Sequence, residues 1–276
     1  MWEYDPEFVV IDIETINGEP TDAEEWARRA WSPSRQWKPA TIGERYLEVV
    51  AKKESQLALL DTAPILSVAL RTEGDCRVLH WMDVNDPRIG VAAIERCASE
   101  HDMLARTAGY LSRCAPETIL VGHNILRFDL PKLRRAMLRE GILLPPALVW
   151  RDQPVFDTMR EWSRFTLDER QYIGLGELLE ACRLPSHKDL FGGANVPDLH
   201  AAGRFLEILH YAVADVLAEA SLFFRMTGRF GGPAVTHDDA AAQDQAATDS
   251  AASPSDHEAP GDPEDELEAI LEMFKQ

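Results

Sequence analysis

Residues 8–15 read FVVIDIET, a run of apolar and β-branched residues that ends in two carboxylates. Such a run is typical of a buried strand. One residue separates Asp12 from Glu14, so on a strand both side chains project from the same face. Burying two like charges side by side is costly unless a cation compensates them, which indicates a metal site. The alternative is that the strand runs out into solvent and places both acids in the following turn.

The rest of the first 230 residues mixes short apolar runs with amphipathic stretches. The apolar runs predict further strands at about 64–71, 77–82 and 118–122. Helical patterns occur at about 21–29, 41–60, 87–100, 102–114, 131–140, 175–182 and 204–226. We therefore predict one α/β domain over residues 1–230, with a mixed central sheet flanked by helices on both faces and a helical insert at about 17–60.

The composition changes after residue 230. Residues 231–261 are rich in Ala, Asp, Ser and Pro, which predicts a disordered acidic linker because such a segment buries too little apolar surface to offset its ordering entropy. Residues 262–276 regain a pattern in which the apolar side chains share one helical face. This short amphipathic helix is either a docking element for a protein partner or a frayed chain end.

The formal net charge of −19 at first sight disfavours a nucleic-acid partner. Twelve acidic residues and one lysine lie after residue 230, so the tail accounts for much of this charge. A carboxylate-lined metal cleft adds more negative charge, and its cations invert the local sign. The charge therefore argues against a non-specific nucleic-acid coat and leaves room for an enzyme that engages one strand end.

The four cysteines are widely spaced and form no CxxC pair. This spacing predicts reduced core residues and neither a zinc site nor a disulfide framework. No apolar run approaches the ~20 residues that a membrane-spanning helix needs, and the first residues, MWEYDPEF, do not resemble a signal peptide. We expect a cytoplasmic protein without a membrane partner.

Two further segments carry acidic residues beside apolar runs. In VGHNILRFDLPKL, residues 121–133, Asp129 follows a predicted strand and opens a helix, a position where an Asp taken alone is more often a helix cap. In ILHYAVADVL, residues 208–217, Tyr211 and Asp215 are four residues apart and share one helix face. An Asp within a stripe of Ala, Val and Leu is not expected to face solvent.

Together the carboxylates of Asp12, Glu14, Asp129 and Asp215 predict a divalent-cation site. Oxygen-only ligands suit Mg²⁺ or Mn²⁺, whereas zinc favours His or Cys. Two such ions ~3.5–4 Å apart could stabilise both the attacking and the leaving oxygen of a phosphodiester.

These motifs resemble those of a known family. VIDIET, GHNILRFD and HYAVAD, at residues 10–15, 122–129 and 210–215, are similar in type and order to the three motifs of the DnaQ-like, or DEDD, 3′-to-5′ exonucleases. The likeness is greatest to the tyrosine-type branch related to the proofreading domain of family B DNA polymerases, including stand-alone phage and bacterial members. It extends to LPSHKDLFGGANVPDL at residues 184–199 and to the helical insert, and it covers about residues 8–228.

The resemblance implies a ribonuclease H-like fold and a metal-dependent 3′-to-5′ exonuclease that uses two Mg²⁺ or Mn²⁺ ions. By carry-over, Asp12 would bridge both ions, Glu14 and Asp215 would complete their shells, and Asp129 would bind one ion directly or through water. The implied reaction is hydrolysis of single-stranded DNA at its 3′ end, which releases 5′-mononucleotides. Trimming of RNA from the 3′ end is a close alternative. A catalytically weak nucleic-acid-binding adaptor that recruits a partner through its tail is a more distant one.

The residue that positions the attacking water has two candidates, because His210 and Tyr211 are adjacent. In this superfamily it is a Tyr four residues before the last Asp or a His five residues before it. Asn124 and Phe128 have three residues between them, as in the polymerase-related branch, which favours Tyr211. A helix that is continuous from Phe205 also favours Tyr211, since a catalytic His normally reaches in from the loop before that helix.

The resemblance also implies contacts with the terminal nucleotide. Ile16 and Asn17 follow the first motif, and Asn124 and Phe128 resemble residues that line the terminal-nucleotide pocket, although Phe128 could instead be a core residue. Lys188 could approach the scissile phosphate or could be a solvated loop lysine. These residues do not distinguish deoxyribose from ribose.

Overall fold

The computed structural model describes residues 2, 5–34, 36–54, 57, 61–165, 172–186 and 196–228. Within them, seven strands form one sheet: β1 (Phe8–Thr15), β2 (Ile65–Arg71), β3 (Cys76–His80), β4 (Arg88–Ile89), β5 (Ala92–Arg96), β6 (Ile119–Gly122) and β7 (Val155–Asp157). The strand order is β4-β5-β3-β2-β1-β6-β7. β2 is antiparallel to β1 and β3, whereas β6 is parallel to both β1 and β7. The prediction of an α/β fold with a mixed sheet is confirmed.

The described helices connect these strands. They are α1 (Pro20–Ala30), α2 (Pro39–Glu54), α3 (Glu100–Leu111), α4 (Asp129–Arg139), α5 (Pro146–Val149), α6 (Thr158–Phe165), α7 (Leu175–Ala181), α8 (Val196–Ala201) and α9 (Phe205–Thr227). The insert predicted at about 17–60 contains α1 and α2. The predicted linker and terminal helix at 231–276 lie outside the described residues, as does Lys188.

The side chains of β1 alternate between two cores because successive residues of a strand point to opposite faces. Val9, Ile11 and Ile13 join a core that includes residues of α3 and α4. Phe8 and Val10 join the opposite core, which α9 covers. Since Asp12 and Glu14 continue the row of Phe8 and Val10, the strand periodicity directs both carboxylates toward α9.

One sequence prediction is wrong. A helix was expected at about 87–100, but the chain there forms β4 and β5, joined at Gly90 with a φ of 54°. Within β4 and β5 the buried side chains are Ile89, Ala92 and Ile94, and the last two follow a period of two. β5 pairs in parallel with β3, and that long-range pairing overrides the helical tendency of the VAAIER segment.

The four cysteines are free, as predicted. Cys76, Cys97 and Cys114 are buried, and burial raises the pKa of the first two thiols to about 11 and that of Cys114 to about 12. Cys182 is half-buried. In the part of the chain that the structure describes, no helix combines the length and the apolar character needed to cross a membrane.

Candidate metal centre

Three carboxylates predicted from two separate motifs come together at the carboxyl end of β1. Asp12 and Glu14 from β1 and Asp215 from α9 each offer an oxygen, and these oxygens lie within 4.8 Å of one another. Glu14 and Asp215 are buried and Asp12 is half-buried. This group could hold a metal ion, because three like charges at such spacing, two of them buried, need a compensating cation.

The helix α9 brings Asp215 to this group because one of its faces packs on the sheet. Ala212, Val213, Val216 and Leu217 are buried in the core that also contains Phe8 of β1. The carboxylate of Asp215 lies among these apolar residues, so the helix carries it into the protein. An Asp in such a stripe faces another residue or a ligand and not bulk solvent.

Tyr211 lies one helical turn before Asp215 on the same face of α9, and its side chain is hydrogen-bonded to the Asp215 carboxylate. Burial raises the pKa of Tyr211, and the nearby charges of Asp215, Glu14 and Asp12 raise it further. The phenol therefore keeps its proton across the physiological pH range. It can orient a water molecule by hydrogen bonding but is not suited to remove a proton from it.

His210 lies inside α9 and not in the loop that precedes it, because the helix already begins at Phe205. At about 100° per residue, His210 points about 140° away from Asp215 around the helix axis. Among the described residues, the group of side chains that could hold a metal ion consists of Asp12, Glu14 and Asp215 and does not include His210. The helix geometry therefore favours Tyr211 as the residue beside the metal group.

Asp129 opens α4 and is buried, with 3% of its surface exposed. Its Oδ1 accepts a hydrogen bond from the backbone N–H of Ile13 at 3.2 Å. Burial raises the pKa of Asp129 to about 7, and the charges of Asp157 and Asp215 contribute. Asp129 thus lies within electrostatic range of Asp215 but outside the group whose oxygens approach to 4.8 Å.

The loop between β6 and α4 is held by a second buried acid, Asp157. Its Oδ1 accepts from the backbone N–H groups of Asn124 and Arg160, and its Oδ2 accepts from the N–H of Leu126. Asn124 has a φ of 62°, in the left-handed region that Asn tolerates better than most residues. Asp157 therefore organises this loop.

Sequence reasoning missed a fifth carboxylate, Glu219, which is 2% exposed. Its Oε1 accepts from the backbone N–H of His123 at 3.0 Å. Burial raises the pKa of Glu219 well above its ordinary value, and the charges of Asp12, Asp129 and Asp215 add to this. The sequence contains a signal for this residue, because Glu219 stands four residues after Asp215 in the same apolar helix. Like Asp215, it is therefore not expected to face solvent.

A cleft with a volume of about 440 Å³ opens beside these acids. Three of them line it, together with the loop before α7 and the start of that helix: Asp12, Asp215, Glu219, His123, Tyr172, Gly174, Leu175 and Gly176. Both ring nitrogens of His123 are held at 2.9 Å, one by the hydroxyl of Thr158 and one by the carbonyl of Ile173. The cleft is therefore lined by acidic side chains and by a histidine whose ring is held in place by two hydrogen bonds.

The residues expected to contact substrate differ in how much of their surface is exposed. Ile16 is half-buried against the core under α9, whereas Asn17 is exposed. Phe128 is half-buried and packs against the core on the opposite face of the sheet, as its alternative interpretation expected. Asn124 is half-buried in the loop that Asp157 holds. The position of Lys188 is outside the described residues.

The donor set fits a hard divalent cation. Asp12, Glu14 and Asp215 offer only carboxylate oxygens, which Mg²⁺ and Mn²⁺ prefer, and the group contains no thiolate or imidazole that would favour zinc. Neither a family model nor a curated protein matches this chain.

Proposed function

We propose that the chain is a metal-dependent 3′-to-5′ exonuclease of the DnaQ-like superfamily that hydrolyses single-stranded DNA. The observation that carries the proposal is the convergence of Asp12, Glu14 and Asp215 to within 4.8 Å, with Tyr211 hydrogen-bonded to Asp215. Three separate motifs of the sequence contribute to this one site, since Asp129 opens the helix next to it. A common origin of the motifs in a nuclease explains both their order and their meeting point.

The sheet supports a ribonuclease H-like fold. Its antiparallel β1, β2 and β3 continue into parallel β6 and β7, and helices cover both faces. The proposed metal ligands stand on the interior strand β1 and on α9, which packs across it. Such a rigid support holds catalytic groups in place better than loops do.

The proposed cofactor is a pair of Mg²⁺ or Mn²⁺ ions, held by Asp12, Glu14 and Asp215 with Asp129 nearby. When bound, such a pair acidifies the attacking water and stabilises the charge on the attacking and leaving oxygens of the phosphodiester. The protein supplies the ligand oxygens on elements that are fixed by packing. Because the pKa of Tyr211 is raised, its protonated hydroxyl would orient the attacking water and not deprotonate it.

The α1–α2 insert supports a single-stranded partner. Trp26 and Trp37 are 41% and 40% exposed, which is unusual for tryptophan, and the Lys53 ammonium lies 3.9 Å from the ring centroid of Trp26. Exposed aromatic rings beside basic side chains are the means by which proteins stack bases and follow a phosphate backbone without reading sequence. This surface gives the acidic protein a local site where a nucleic-acid strand can bind.

The test is hydrolysis of end-labelled single strands of DNA and RNA by the purified chain, with Mn²⁺ or Mg²⁺ and then with EDTA. We expect 5′-mononucleotides from the 3′ end of DNA, complete loss of product in EDTA, and loss of activity in Asp12→Asn. Glu207→Gln is the matched control, because Glu207 lies on the same helix and pairs with Arg204 away from the site. Product formation in EDTA, or full activity of Asp12→Asn, contradicts the proposal; faster cleavage of RNA shifts the substrate to RNA.

A further inference from the structure

Glu219 has one carboxylate oxygen engaged and one without a protein partner. Oε1 accepts from the N–H of His123, whereas Oε2 is buried and has no hydrogen-bond partner among the described residues. A buried acceptor without a partner destabilises the folded state, and more so if it is charged. A carboxylate oxygen in this condition, on a side chain that is 2% exposed, indicates a ligand that the protein itself does not supply.

The neighbours of Glu219 define the charge of that ligand. Asp12 and Asp215 line the same cleft, and Asp129 is also within electrostatic range. No lysine or arginine of the described chain lines this cleft. Since the protein provides acids and no countercharge there, the complementary ligand is a cation.

The position of Glu219 on α9 relates it to the ligands already described. Asp215 and Glu219 are four residues apart and therefore lie on one helix face, one turn from each other. Tyr211 precedes Asp215 by one turn, so Asp215 stands between the tyrosine and the glutamate. The group formed with Glu14 thus lies toward Tyr211, and the cleft lined by Glu219 lies toward the loop that contains His123.

Glu219, like Asp129, stands outside the group whose oxygens approach to 4.8 Å. We propose that Glu219 is a further cation ligand, whose Oε2 contacts, directly or through a water molecule, a second cation in the cleft that it lines with Asp12 and Asp215. The two positions share these last two residues, which keeps two ions close to each other. The inference rests on the proposed function only in taking Asp12 and Asp215 as cation ligands. It adds a protein ligand near Asp129, whose Oδ1 already accepts a hydrogen bond from the N–H of Ile13.

The rival explanation is that Glu219 only holds the His123 loop through Oε1. Glu219→Gln separates the two, since the amide oxygen can still accept from His123 while the amide nitrogen cannot bind a cation. The substitution also removes a buried acid from among three others, so we expect the melting temperature in EDTA to stay the same or rise. Retained folding in EDTA is therefore checked first, by thermal unfolding.

The experiment is isothermal titration of the intact chain with Mn²⁺ alone, without nucleic acid, together with the Mn²⁺-induced rise in melting temperature. We expect two Mn²⁺ ions per wild-type chain. In Glu219→Gln one ion should be lost or bound at least about tenfold more weakly, with a smaller thermal shift. Glu207→Gln should match the wild type, and Asp12→Asn should weaken both ions.

Two results overturn the inference, and they differ in what else they affect. Equal stoichiometry and affinity in wild type and Glu219→Gln would show that Glu219 is only a loop anchor, and would leave the proposed nuclease intact. Fewer than two Mn²⁺ ions bound to the wild-type chain would remove the second position. The absence of any Mn²⁺ binding would overturn the proposed function as well.

Discussion

The backbone N–H of Ile13 donates a hydrogen bond to Oδ1 of Asp129, although 116 residues separate them in the chain. Ile13 stands between Asp12 and Glu14 on β1, and Asp129 opens α4. The pairing of β1 with β6 covers Phe8 to Val10, and Asp129 supplies the acceptor for an N–H group beyond that pairing. The bond therefore ties α4 to the strand segment that carries two of the candidate metal ligands.

Two substitutions of Asp129 separate the effect of its charge from the effect of its hydrogen bond to Ile13. Asp129→Asn keeps an oxygen for the Ile13 N–H but removes the carboxylate, so we expect an intact fold and metal-dependent hydrolysis reduced by about tenfold to hundredfold. Asp129→Ala also removes the acceptor and should cost a further ~1–3 kcal/mol of unfolding free energy. Urea unfolding and hydrolysis rates measure the two effects. An Asn variant with wild-type hydrolysis would make Asp129 purely structural.

The choice between Tyr211 and His210 is testable with two conservative variants. Tyr211→Phe removes only the hydroxyl that is bonded to Asp215, so we expect the turnover rate to fall by at least about tenfold with little change in folding. His210→Gln should retain near-full turnover, because His210 points away from Asp215 around α9. Turnover under saturating substrate is the measurement. An active Tyr211→Phe with an inactive His210→Gln would assign the role to the histidine.

Gly122 is required where β6 meets the site loop. A Cβ at this position would lie 2.8 Å from Cβ of the buried Ile125 and 3.0 Å from the carbonyl oxygen of Ile11. We expect Gly122→Ala to lower the unfolding free energy by about 1–3 kcal/mol. It should also weaken Mn²⁺ binding, because the next residue, His123, donates its N–H to Glu219.

The matched control for this substitution is Gly43→Ala on α2. A Cβ there meets nothing within 4 Å, and Ala is favoured over Gly inside a helix by up to about 1 kcal/mol. The control should therefore be neutral or stabilising and should leave Mn²⁺ binding unchanged. If both variants lose the same stability, the close approach at Gly122 has no energetic consequence.

The buried His80 should make the free energy of unfolding decrease at low pH. It is fully buried on β3, and burial, with a contribution from Arg96, lowers its pKa from 6.5 to about 4. The neutral ring is favoured in the folded state, so this stability is present above pH 6.5 and is lost as the pH falls through about 4. The loss should be on the order of 3 kcal/mol.

Urea unfolding over this pH range, in EDTA, measures the effect. His80→Leu removes the group that titrates and should flatten the decline of stability toward low pH. His101→Gln, at an exposed site on α3, should follow the wild-type curve. An unchanged slope in His80→Leu would mean that other groups cause the acid sensitivity.

The local periods of the sequence determined much of the candidate site. A period of two on β1 places Asp12 beside Glu14, and a period of 3.6 on α9 places Tyr211 beside Asp215. These relations follow from backbone geometry alone, so they hold wherever the strand and the helix are. The same helical period could have found Glu219, which was overlooked because no motif contained it.

Only the tertiary structure decided which of these faces meet. β4 and β5 form a sheet edge where the local pattern favoured a helix, because pairing with β3 depends on residues distant in the chain. In isolation the position of Asp129 is typical of a helix cap, and only the tertiary structure shows its hydrogen bond to Ile13 of β1. Contacts over more than a hundred residues depend on how α4 and α9 pack on the sheet. Sequence periodicity determines which side chains share a face, and packing determines which faces are opposed.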